Sequence, residues 1–144
     1  MNTATLTTMS LVNSVSAPYT DDPATPPLSS ALHRACIAAK VAAENQGREV
    51  LVLDMRRCTP LYDFFVISTG TSRRQLHALA EETDDALRAE GDTRAGIEGY
   101  EASKWIVQDY GDVVVHVFDS DTRDYYKLEE LWADAPKIDW ESEL

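Results

Sequence analysis

The chain has 144 residues, 44% of them hydrophobic, and a formal net charge of −12. That supports one domain with a real core. The charge argues against sequence-independent binding to phosphate backbones, which needs Lys and Arg to displace counterions, and suits a basic protein partner better. No run approaches the roughly twenty apolar residues of a membrane span. No Lys or Arg precedes Arg34, which disfavours a secretory signal or a transit peptide and points to a cytoplasmic protein. Cys36 and Cys58 lack metal-type spacing and read as reduced thiols.

Residues 1–28 are rich in Thr, Ser, Ala and Pro without a sustained period, and they read as a disordered tail. From Ser29 a helix is expected, capped by Ser29 or Ser30, with Leu32, Ala35, Cys36, Ala39 and Ala43 on one stripe and Gly47 as its stop. Glu49 to Met55 reads as a strand, Arg56 to Leu61 with Pro60 as a loop, and Asp63 to Thr69 as a second strand buried on both faces and paired antiparallel with the first. Ser72 and Gln75 have capping-box spacing. Leu76, Leu79, Ala80, Thr83 and Leu87 then recur at helical spacing until Gly91. Ile97 opens a short edge strand. A hairpin follows: arms Trp105–Gln108 and Val113–Phe118 flank Asp109-Tyr110-Gly111-Asp112, where Gly111 supplies the positive φ of a tight turn. The second arm has Val113, Val115 and Val117 on one face and Val114, His116 and Phe118 on the other, so it reads as a central strand. Ser120 or Asp121 can cap a last helix with Tyr125, Leu128, Leu131 and Trp132 as its apolar positions, and from Ala133 the acidic end is expected to be loose. The organisation is a tail over 1–28, an α/β domain over 29–135 and an acidic extension over 136–144.

Gly70-Thr71-Ser72 lies where a strand meets a helix, a place where backbone N–H groups could receive a phosphate beside Arg73 and Arg74. It lacks the Lys and spacing of a P-loop and the glycines of a dinucleotide fingerprint, so a capped turn is the simpler reading. Asp119-Ser120-Asp121 has the look of a metal-binding Asp-x-Asp, but these are also the residues a helix N-terminus prefers. A metal-dependent nucleotidyl transferase using Gly70, Ser72, Asp119 and Asp121 is therefore the alternative reading, and it wants paired carboxylates on a neighbouring strand. The nearest pair, Asp84 and Asp85, falls in the helix. His33, His77 and His116 have no zinc spacing. Trp105, Asp109, Tyr110 and Tyr126 combine aromatic area with carboxylates, the makeup of a protein-binding hot spot. On pattern alone, a Trp105 that simply packs in the core and a Tyr110 that merely tips a loop are equally acceptable.

Taken in order, Asp63-Phe64-Phe65-Val66-Ile67-Ser68-Thr69-Gly70-Thr71-Ser72-Arg73-Arg74-Gln75, Gly96-Ile97-Glu98-Gly99, Trp105 through Phe118, and Arg123-Asp124-Tyr125-Tyr126-Lys127-Leu128-Glu129-Glu130-Leu131-Trp132 closely resemble the Iojap family of ribosome silencing factors. The resemblance spans about residues 30–136. It implies a single α/β domain, a mixed sheet flanked by helices, related to the nucleotidyl transferases but without their catalytic carboxylates. It implies no enzyme activity, no cofactor and no metal. It further implies binding to the large ribosomal subunit through ribosomal protein fourteen, with little direct RNA contact, so that joining with the small subunit is blocked and translation falls when nutrients are short. Carried over by motif, the partner-binding residues are Trp105, Asp109, Tyr110 and Tyr126. Self-association as a homodimer, or an adaptor role toward a non-ribosomal basic protein, stays open at this point.

Overall fold

The computed structural model describes residues 26–144, so the tail expected over 1–28 lies, up to residue 25, outside the described residues. In chain order the elements are α1 (Ala31–Glu44), β1 (Arg48–Asp54), β2 (Phe64–Gly70), α2 (Arg73–Ala89), β3 (Gly96–Glu98), β4 (Trp105–Asp109), β5 (Val113–Asp119), α3 (Ser120–Tyr126) and α4 (Leu128–Leu131). The strands form one sheet in the order β1-β2-β5-β4-β3. The β2–β5 pair is parallel and the others antiparallel. This is the α/β mixed sheet expected from the sequence, with β5 in the middle.

The alternation in β5 sorts the core into two layers. Val113, Val115 and Val117 join Phe64, Val66 and Ile106 under α1 and α2. Val114 and Phe118 join Leu53, Phe65, Ile67 and Val107, with Leu128 of α4 packed against that face. The hairpin closes as expected: Gly111 has φ 90°, and Tyr110 N–H donates to Val113 O at 2.9 Å.

In α1, Ser30 is the cap and accepts from His33 N–H at 3.1 Å. The buried face is Ala35, Ala38, Ala39 and Ala42, with Arg34 and Cys36 beside it. Ala43, expected on the stripe, is exposed, because it lies about 100° around the helix from Ala42. The positive φ at the helix end belongs to Gln46 (67°) rather than Gly47. In α2, Ser72 Oγ accepts from Gln75 N–H at 3.1 Å while Gln75 Oε1 reaches back to Thr71 N–H at 2.6 Å. The expected apolar positions of α2 are all buried, and Asp84 is buried with them. Cys36 and Cys58 are free thiols.

Two expectations about the C-terminal part are corrected. The last helix is not continuous: Lys127 takes a left-handed φ of 48° and splits it into α3 and α4. The apolar positions therefore lose their common phase, and Leu128 is buried while Tyr125 and Leu131 are exposed. The cap is Asp119, whose Oδ1 accepts from Thr122 N–H at 2.8 Å, rather than Ser120 or Asp121. Nor is the acidic end loose. Asp54 N–H donates to Pro136 O and Ile138 N–H to Val52 O, each at 2.8 Å, so the run lies along the outer edge of β1. Ile138 and Trp140 then pack against the α1–α2 side of the core. An edge strand otherwise offers unpaired backbone groups, and this run satisfies Val52 O and Asp54 N–H.

Deleting residues 136–144 removes those bonds and the Ile138 and Trp140 packing. A loss of about 2 kcal/mol or more is expected, read by thermal denaturation as a drop of about 5 °C or more. A loose extension would leave the melting temperature unchanged.

Candidate functional site

The start of β4 is set by the loop before it. The His77 ring of α2 stacks on Tyr100 at 3.9 Å with an interplanar angle of 8°. His77 Nε2 lies 2.8 Å from both Tyr100 O and Ser103 Oγ, which clasps the loop to α2. Gly99 has φ +78°, and a Cβ there would collide with the carbonyl oxygen of Trp105. The loop thus delivers Trp105 to one fixed place.

At that place Trp105 pairs in register with Phe118, and the two rings stack at 4.8 Å and 25°. Its Nε1–H donates to His116 Nδ1 at 3.1 Å. Burial pushes the His116 imidazole down to about 3, so the ring is neutral and keeps Nδ1 free to accept across the physiological range. The open side of Trp105 meets Tyr126 of α3 at 5.0 Å, and Tyr126 meets Tyr125 edge-on at 5.0 Å and 78°. Tyr126 is 54% exposed, Tyr125 80% and Leu131 73%. Three large apolar side chains open to solvent within seven residues, next to a half-buried Trp, make a surface suited to docking. Asp121, Asp124 and Glu130 lie exposed in the same stretch, with Lys127 among them.

The four residues singled out from the sequence therefore divide. Trp105 and Tyr126 come together. Asp109 and Tyr110, expected with them at the surface, lie at the other end of β4 and are buried. Asp109 Oδ1 accepts from Gly111 N–H at 2.7 Å and so braces the turn. Tyr110, expected to tip the loop, instead turns toward α2 and donates its hydroxyl to Asp84 Oδ1 at 2.8 Å, and Asp84 in turn pairs with Arg88 at 2.9 Å. Gln108 Nε2 donates to Ala80 O at 2.9 Å beside it. These residues hold the hairpin against the helix. Tyr125 and Leu131 are surface residues that sequence reasoning placed on a core stripe. The left-handed turn at Lys127 exposes them, and no glycine marks it.

Two residues of the transferase reading are helix caps, while Asp121 is exposed in the first turn of α3. Ser72 and Asp119 cap α2 and α3. The space a side chain at Gly70 would take is filled by Leu76, 2.7 Å from that point, so the glycine lets α2 pack closely on the end of β2. Among the described residues no group of three or more His, Cys, Asp and Glu side chains is placed to hold a metal ion.

Residues 28–144 match the family model described as "Ribosomal silencing factor during starvation". The chain is similar to ribosomal silencing factor RsfS of Halalkalibacterium halodurans, 39% identical over 105 residues, covering 73% of this chain and 90% of that protein. It is also similar to RsfS of Bacillus subtilis, 41% identical over 103 residues, covering 72% and 87%. A crystal structure of a protein from Chromobacterium violaceum superposes with a TM-score of 0.70 at 34% identity, covering 73% of this chain and 88% of that one.

Two predictions follow from the division of the four residues. Tyr110→Ala should cost about 3 to 5 kcal/mol in denaturant unfolding, whereas Tyr126→Ala should cost less than about 1 kcal/mol. The reverse order would restore Tyr110 to the surface. Burial, ahead of the opposing Gly111 N–H, holds the Asp109 carboxyl above the usual carboxylate range. A carboxyl whose pKa is raised by folding favours the fold at acid pH and turns against it as pH rises through the folded value. Asp109→Asn keeps an oxygen for Gly111 and removes that penalty, so the variant's melting temperature should gain on the wild type as pH rises above about 4, the ordinary aspartate value. A difference that stays flat with pH would contradict it.

Proposed function

The chain belongs to the RsfS family of ribosomal silencing factors, and from that membership we propose that it docks on the large ribosomal subunit through ribosomal protein fourteen and blocks joining with the small subunit. Translation then falls when nutrients are short. The mechanism is steric occlusion, with no catalytic step and no cofactor.

The observation that carries this reading is the aromatic surface of Trp105, Tyr125 and Tyr126 at one end of the hairpin, the tryptophan half-buried and both tyrosines exposed. Aromatic side chains supply large contact area at small entropic cost, and the acidic balance of the chain suits a basic protein. A chain with net charge −12 is repelled by ribosomal RNA, so landing on a basic protein patch is the favoured approach, and complementary charge steers it there. In this reading Trp105 and Tyr126 touch the partner. Asp109 and Tyr110 support the hairpin that presents them.

The test is subunit joining, followed by light scattering or sucrose gradients with purified subunits. Wild-type protein should keep the subunits apart. Tyr126→Ala should fold normally and bind large subunits about 30-fold more weakly, the equivalent of about 2 kcal/mol at a hot spot. The association rate should fall as salt rises. Undiminished anti-association by Tyr126→Ala, at concentrations where the wild type just saturates, would remove the aromatic surface from the account. An association rate indifferent to salt would remove the steering.

A further inference from the structure

Tyr125 and Tyr126 ride on a helix that has little to hold it. The seven residues of α3 and the four of α4 are each shorter than the roughly twelve a helix needs to persist alone. Leu128 and Trp132 anchor α4 to the core. In α3 one side chain is buried, and it is charged: Arg123, 3% exposed.

Its guanidinium joins three elements. Nη1 donates to the backbone oxygen of Glu49 at 2.7 Å and to Thr69 Oγ1 at 2.8 Å, while Nε donates to Glu129 Oε1 at 3.2 Å. Glu49 belongs to β1, Thr69 to β2 and Glu129 to α4. The Glu49 carbonyl is available because β1 is irregular there: the register with β2 shifts between Arg48 and Leu51, and Glu49 has φ 49°. The last turn of α3 closes on the same residue, with Lys127 N–H donating to Arg123 O at 2.8 Å. Desolvating a guanidinium is costly unless its donors are met. Here Nη1 and Nε are met from β1, β2 and α4, and the result is one height and one rotation for α3.

We propose that Arg123 is the positioning residue of the docking surface, fixing α3 against the ends of β1 and β2 so that Tyr126 closes on Trp105. It acts through Tyr126, three residues further along the same helix, and makes no contact with the partner. The inference rests on the docking reading above for its effect on binding, and on geometry alone for its effect on Trp105. Lysine is no substitute, because a single ammonium on a flexible stem lacks the planar fork that reaches acceptors on three elements.

The experiment has two arms. In the first, the indole N–H signal of Trp105 is followed by NMR in nitrogen-labelled protein, assigned with Trp105→Phe. Arg123→Lys and Thr69→Val, the second of which removes one acceptor and leaves the arginine in place, should both shift or broaden that signal at temperatures where the fold is intact. In the second arm, large-subunit affinity and melting temperature are measured in a cycle with Tyr126→Ala. Arg123→Lys should weaken binding about tenfold in the wild-type background and less than about twofold when Tyr126 is already gone, while the melting-temperature losses add. A merely structural role would leave the affinity of the folded protein unchanged. A direct contact with the partner would make the binding losses additive. Either result overturns the proposal, as does an unmoved Trp105 signal in both variants. If wild-type protein fails to bind large subunits, the docking reading falls, and the NMR arm still decides whether Arg123 sets the surface.

Discussion

The whole arrangement depends on β5 being buried on both faces. A strand in the middle of a sheet, parallel to β2 on one side and antiparallel to β4 on the other, has no side chain free for solvent from Val113 to Phe118. Val113, Val115 and Val117 are committed to the layer under α1 and α2, and Val114, His116 and Phe118 to the opposite layer. Even the polar member obeys this, since His116 is fully buried and spends its Nδ1 on Trp105. What the hairpin itself shows a partner must come from its ends and from what is attached there.

The two ends are treated differently. The turn end is pinned by charge and hydrogen bonds: Arg34 of α1, 2% exposed, grips the Asp112 carboxylate with both terminal nitrogens at 2.8 and 2.6 Å and Asp92 at 2.5 Å. Tyr110 adds its bond to Asp84. A bidentate pair with a second carboxylate is strong and geometrically demanding, which fits a turn that must not drift. The other end carries the aromatic rings, with Trp105 seated on Phe118 and Tyr126 laid against it. One end is locked and the other is partly open to solvent.

The strands, the capping box of α2 and the two-faced β5 were legible because their signals are local: alternation, a Ser three residues before a Gln, a Gly at the turn. Tyr110 was not legible, because a tyrosine beside a turn faces in or out according to what waits for it. Asp84 waits 26 residues upstream. The break at Lys127 carries no local mark, as a non-glycine left-handed residue is held by its surroundings. It turned an apparently regular stripe into one buried leucine, one partly buried tryptophan and two exposed side chains. The C-terminal run did carry a signal: Ile138 and Trp140 alternate with polar residues as an edge-pairing segment would, beneath an acidic composition that reads as solvated. The resemblance of several ordered motifs identified the family where no single motif could.

The central claim is that the rings at the open end of the hairpin meet ribosomal protein fourteen. It is tested most directly by placing a photo-crosslinking phenylalanine analogue at Tyr126 and irradiating the protein bound to purified large subunits. The account predicts a crosslink to ribosomal protein fourteen that is lost when excess unmodified protein competes. A competable crosslink to ribosomal RNA or to a different ribosomal protein would contradict it.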